Sequence, residues 1–192
     1  RIENYIKTRW PGRTEIRDGL LTAWYRFRDL GLNDNHFVEE LVSGDEAKFW
    51  QRLWELNLGL RLDELGHSLT SQDLGPDFQF EHEGRTIWGE AVCPSPEVIP
   101  DEYLKDPVAG EPVVARSVPH DEILLRWTAG LADKKRKFSR YLETNIVDPS
   151  DCQVIAINGC QLTLMGVPML EGGSTLPWPV DAVLPIGSLE VS

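Results

Sequence analysis

An α/β fold, with a central mixed β-sheet flanked by helices, is what this chain of 192 residues predicts. Two long segments, residues 43–66 and 120–147, carry apolar side chains at helical spacing. Between them GPDFQFEHEGRTIWGEAVC, residues 75–93, sets two short apolar runs around a Glu-Gly turn, which reads as a β-hairpin. QVIAING, from residue 153, reads as a further, buried strand. Helices and strand pairs in such mixed order form layers about one sheet.

From the N-terminus, TEIRDGLLTAWYRFRDLG and HFVEELV within residues 14–42 are two short helical patterns, the first closed by Gly31 in the manner of a C-cap. In SGDEAKFWQRLWELNLGLRLDELG, Ser43 and Glu46 have capping-box spacing, and Phe49, Leu53, Leu56 and Leu60 make one stripe. Trp54, Leu58, Leu62 and Leu65 make a second, so this helix, ending near Gly66, is expected to be largely buried, with Glu55 bordering the second stripe. After the hairpin, residues 94–119 hold six prolines and read as a long irregular excursion, the kind of loop that carries specificity or a partner contact. HDEILLRWTAGLADKKRKFSRYLETNIV is the second long helix, QLTLMGV a short strand partner and DAVLPIG a last strand. Residues 1–44 are expected as a helical segment packed on a core of residues 45–192, one domain overall.

Composition narrows the function classes. At 41% hydrophobic residues and with no apolar run of transmembrane length, the chain is expected to be globular and not membrane-bound. Arg stands at position 1 with no signal pattern behind it, which reads as a cloned or processed end with nothing pointing to export. Cys93, Cys152 and Cys160 lack disulfide or zinc spacing and fit buried thiols of a cytoplasmic protein. The net charge of −12 opposes broad electrostatic capture of nucleic acid, although ADKKRKFSR at residues 132–140 is a basic cluster within the acidic chain.

The chemistry begins in the hairpin. If Glu83 and Gly84 are its two turn residues, counting outward sets Asp77 directly opposite Glu90, with Cβ atoms on the order of 5 Å apart. Two carboxylates so placed destabilise the sheet unless something positive lies between them. A divalent cation answers that need, and two hard oxygen ligands with room for water and phosphate suit Mg²⁺ or Mn²⁺. The alternative is turn chemistry at Pro76-Asp77 with Glu90 on a solvated face or paired with a lysine, and a one-residue bulge would separate the pair altogether. In the second long helix, Ile123, Trp127, Leu131, Phe138 and Tyr141 line one face, and Lys134 falls within that stripe while Lys135, Arg136 and Lys137 project sideways or outward. A lysine so placed either snorkels or meets a carboxylate.

These residues resemble the PD-(D/E)xK nuclease superfamily, the restriction-endonuclease-like fold. The resemblance rests on Pro76-Asp77 opening one hairpin strand, Glu90 in the next, a preceding helix carrying Glu55, and a following helix and strand. It covers roughly residues 45–160. The family pattern puts a lysine two residues after Glu90, where this chain has Val92, and in divergent members a neighbouring helix supplies it, as Lys134 would here. The resemblance implies a Mg²⁺-dependent nuclease hydrolysing DNA phosphodiesters. Asp77, Glu90 and the Ala91 carbonyl would be the metal ligands, Glu55 would position metal or water, and Lys134 would orient the attacking water. Glu64 is another acid of the same helix that could face inward. The rival is a nuclease fold without cleavage, serving as a binding or regulatory module, and a phosphohydrolase acting on nucleotides is a third reading.

Other candidates carry less. His36, His67, His82 and His120 have no metal-ligand spacing, and Gly172-Gly173 lacks the strand-loop-helix setting of a phosphate loop. Trp178, in LPWPV, reads as a surface ring able to stack on a base.

Overall fold

A computed structural model describes residues 1–71, 74–105, 117–163 and 177–184. Its elements are α1 (Ile2–Arg9), α2 (Thr14–Asp29), α3 (Phe37–Leu41), α4 (Glu46–Glu64), β1 (Phe78–His82), β2 (Arg85–Val92), α5 (Asp101–Leu104), α6 (His120–Glu143), β3 (Cys152–Ile157) and α7 (Trp178–Val183). The chain divides into two compact units, one of residues 1–92 and 134–156, the other of residues 93–133 and 157–192. The N-terminal helices to residue 44 therefore belong with α4 and the hairpin, and the expected core of residues 45–192 is shared between the two units.

The first unit holds a three-stranded mixed sheet in the order β1-β2-β3, flanked by helices. Glu83 and Gly84 form the hairpin turn at φ 50° and 74°, the pair of positive angles that a two-residue turn of this hand demands. The antiparallel register then runs from His82 opposite Arg85 to Phe78 opposite Gly89. As the central strand, β2 is buried from Trp88 to Val92. Alternation along β2 places Trp88 and Glu90 on one face. There Trp88 packs with Phe138 and Val147. The larger core of the unit gathers Trp24, Phe27, Phe37, Phe49, Leu56 and Phe78. At Gly59 on α4 an added Cβ would meet Phe27 at 2.9 Å and Phe78 at 3.1 Å, so a hydrogen is what lets the two rings close over the helix.

In this unit three expectations change, and one helix is added. Asp45, not Ser43, caps α4, accepting from the N–H groups of Ala47 and Lys48, while Ser43 Oγ accepts from the Asp45 N–H. The second stripe of α4 is only half-buried at Trp54, Leu58 and Leu62, and Leu65 is exposed. The strand beginning at Cys152 lies at the sheet edge and is not buried, with Val154 46% exposed. It is located by side chains: Trp88 Nε1 donates to Asp151 at 2.8 Å and Trp54 Nε1 to the Ala156 carbonyl at 3.0 Å. Ile2, Ile6 and Trp10 on and just after α1 add to the main core, a short helix the apolar pattern did not mark.

In the second unit Ile99, Tyr103, Ile123, Trp127, Leu162 and Trp178 form one cluster. Trp178 is therefore core and not a surface ring, being 2% exposed. The expected last strand is a helix where it is described: Pro177 caps α7 and Pro179, in its first turn, presets the helical φ. Residues 185–187 of that segment lie outside the described residues, as do residues 164–167 of QLTLMGV, whose first three residues form a turn. Within the proline-rich excursion sits the short α5; residues 106–116, and Gly172-Gly173 further on, also lie outside the described residues.

Candidate active site

Every residue of the candidate site belongs to the first unit. Asp77 lies one residue before β1, and its Oδ2 accepts the Ala91 N–H at 2.7 Å, carrying the hairpin pairing one step past the last backbone pair. The register places Asp77 opposite Glu90. Glu90 is wholly buried, and burying an ionised carboxylate is unfavourable by several kcal/mol unless it is paired and hydrogen-bonded. Helix α6 supplies the partners. Lys134 Nζ donates to Glu90 Oε2, Tyr141 OH donates to Oε1 at 3.0 Å, and Lys137 Nζ stands 3.6 Å from Oε2. Lys134 Nζ is also 3.8 Å from Asp77 Oδ2. The positive charge between the two facing carboxylates is thus an ammonium from the helix, 8% exposed.

Lys134, Lys137 and Tyr141 recur at i, i+3 and i+7, one face of a helix. Lys137, expected to point sideways or outward, bends its long side chain back toward Glu90 and keeps it 40% exposed. The Asp77 side chain is 20% exposed. Water reaches the cluster at these two residues while Glu90 stays dry.

Glu55 is 3% exposed on α4, and its Oε2 accepts from Arg52 Nη1 at 2.8 Å. Arg52 also reaches Asp34 at 3.0 Å and Glu40 at 2.7 Å, so one guanidinium serves three acids. Burial, reinforced by the charge of Asp77 and resisted by Arg52, pushes the Glu55 carboxyl up to about 8. Glu55 therefore carries a proton at neutral pH. Burial likewise raises Asp77, with Lys134 pulling the other way and Glu90 adding to the rise. Burial alone would lower Lys134, but Asp77 and Glu90 outweigh it and hold the ammonium above the ordinary lysine range. Lys134 stays charged throughout the physiological range.

The remaining expected residues sort cleanly. Glu64 is exposed and pairs with Arg26 and Arg61, away from the cluster. Ala91 takes part through both backbone groups: its N–H binds Asp77 and its carbonyl accepts from Gln51 Nε2 at 3.1 Å. Val92, where the family pattern would have lysine, is buried apolar chain. Sequence reasoning missed Gln51, Arg52, Lys137 and the hydroxyl of Tyr141. Gln51 and Arg52 lie about one turn before Glu55 on the same helix, and Tyr141 stands in the α6 stripe with Lys134, so helical spacing carried a trace of these three.

Among the described residues, no group of three His, Cys, Asp or Glu side chains converges as a ready metal-ligand set. The donors present still fit a hard divalent cation in kind: Asp77 and Glu90 offer carboxylate oxygens from adjoining strands, with solvent access at Asp77. Such an ion would share Glu90 with Lys134 and would compete with Gln51 for the Ala91 carbonyl. No protein-family model, no curated protein and no solved structure matches this chain.

Proposed function

We propose that this chain is a divergent nuclease of the PD-(D/E)xK superfamily, with a restriction-endonuclease-like fold, that hydrolyses DNA phosphodiester bonds with Mg²⁺ or Mn²⁺. The observation that carries the reading is the meeting of Asp77, Glu90 and Lys134 at one end of the hairpin, with the lysine delivered from α6. Asp77 and Glu90 are the cation ligands in this reading, with the Ala91 carbonyl as a third oxygen. The cation, when bound, supplies Lewis-acid polarisation of the scissile phosphate. Lys134 has three N–H donors, and those not held by Glu90 can serve a phosphoryl oxygen or an attacking water. Glu55, protonated at neutral pH, positions the metal or the water in this reading, and it becomes able to accept a proton only as it ionises near pH 8. Lys137, partly exposed at the solvent side, offers a second ammonium to the phosphate backbone.

A second reading is favoured by one specific contact pattern. Both Glu90 oxygens already have protein donors, which is how a structural ion pair in a non-cleaving nuclease fold would look. Calorimetric titration of Mg²⁺ and Mn²⁺ into the wild type, Asp77→Asn and Glu90→Gln, with plasmid nicking assayed on the same samples, separates the two. The nuclease reading expects binding and nicking to be lost together in both variants, while Lys134→Met keeps binding and loses nicking. A wild type that binds neither cation is a binding or regulatory module instead.

A further inference from the structure

The second unit holds two of the three cysteines, and they are neighbours in space. Cys93 follows the last residue of β2 and is 5% exposed, and Cys160 lies three residues beyond β3 and is half-buried. Separated by 67 positions in the chain, their Sγ atoms stand 3.6 Å apart in a thiol–thiol hydrogen bond. A disulfide has its sulfurs about 2.05 Å apart, so rotation about the two Cα–Cβ bonds has only about 1.5 Å to close.

The placement of Cys160 is built rather than incidental. A Cβ on Gly159 would stand 2.4 Å from the Trp127 ring, so only glycine lets this loop seat on that buried indole. Asn158 Oδ1 accepts the Cys160 N–H at 3.0 Å, and the Leu162 N–H closes back on the Gly159 carbonyl at 2.9 Å. Gln161 Nε2 lies 3.5 Å from both the carbonyl and the Sγ of Cys93 and 3.4 Å from the Pro94 carbonyl. The turn is thus fastened to the strand end that bears the other thiol.

We infer that Cys93 and Cys160 are a redox-modification site, closing to a reversible disulfide when the protein meets hydrogen peroxide. Cys160 is the attacking sulfur. It is the more exposed of the two, while Cys93 is buried, and its hydrogen bond to Cys160 and its burial push the Cys93 thiol up. The Cys160 thiolate attacks one peroxide oxygen, the O–O bond breaks, and the departing hydroxide is protonated to water, leaving a sulfenic acid. The Cys93 sulfur then attacks the Cys160 sulfur, the S–O bond breaks, and the leaving hydroxide takes the Cys93 proton as a second water. Two thiols lose two electrons and one peroxide is reduced to two waters.

The test is hydrogen peroxide treatment of the full chain, followed by alkylation in denaturant, intact mass and peptide mapping. Two of the three cysteines should escape alkylation, the mass should fall by two hydrogens, the cross-linked peptide should join Cys93 to Cys160, and dithiothreitol should restore all thiols. Cys93→Ser should accumulate a dimedone-reactive sulfenic acid at Cys160, whereas Cys160→Ser should leave Cys93 alkylatable. The inference is overturned if the wild type keeps every thiol under peroxide, or if the bond that forms involves Cys152.

Discussion

At Lys134 an ammonium is buried in an apolar helix face only because Glu90 and Asp77 share it, so each side of the cluster depends on the other. Lys134→Met should therefore leave a fully buried carboxylate short of its main counter-charge and destabilise the protein by about 3–5 kcal/mol. Adding Glu90→Gln to that variant should recover much of the loss, because the neutral amide no longer needs the ammonium. Urea denaturation measures both, and a single variant within about 1 kcal/mol of wild type would mean that Lys137 suffices. Glu55 behaves oppositely with pH. Its carboxyl ionises near 8 in the fold but near 4.5 when free, so the folded state holds the proton more tightly, and stability falls by roughly 1.4 kcal/mol per pH unit between those values. Glu55→Gln removes that slope while keeping an acceptor for Arg52. Between pH 6 and 8 the variant should gain about 2–3 kcal/mol on the wild type, and a difference that ignores pH would show Glu55 ionised throughout. Asp77, Glu90 and Lys134 were readable in the sequence because turn counting and helical periodicity are local rules. Lys137 was not, because it sits about 60° off the apolar stripe and returns only through the length of its side chain. The Arg52 network was hidden because Asp34 and Glu40 come from another segment, and no spacing encodes a contact between segments.

Among the elements, the hairpin was the most legible, since a two-residue turn and a period of two leave one register that buries Trp88. The third strand was misjudged as buried because a run such as QVIAI reads alike in a central strand and in an edge strand held by two indole N–H groups. Asp181–Val183 was misread as strand because β-branched content outweighed Pro179, whose fixed φ starts α7. Helix α4 shows where packing overrides propensity. Alanine at position 59 would gain about 1 kcal/mol of intrinsic helix preference, yet its methyl would stand 2.9 Å from Phe27, a buried ring in the main core. Overpacking of this kind is unfavourable by about 1–3 kcal/mol. Gly59→Ala is thus expected to be net destabilising, with a lower urea midpoint at unchanged m-value, and a stabilised variant would show that Phe27 and Phe78 can draw apart freely.

For the whole molecule the governing quantity is the net charge of −12. A chain this acidic repels a polyanion at long range, and that repulsion grows as salt is lowered. If the proposed nuclease reading holds, DNA must be met by the cations around the site, and α6 provides them: Lys137 at the cluster and Lys135, Arg136 and Arg140 exposed beside it. Four phosphate contacts predict a slope of log K against log salt near −3 to −4, since each contact contributes about −0.9. Binding of a short duplex, followed by fluorescence anisotropy in chelator so that no cleavage intervenes, should show that slope. Lys135→Glu with Arg140→Glu should bring it to roughly −2, since two contacts are removed, without touching the Asp77, Glu90 and Lys134 cluster. A slope steeper than about −6 would require a basic surface well beyond α6. Binding that ignores salt would mean that the contact is not to phosphate, and the acidic balance would then count for the binding-module reading over the nuclease.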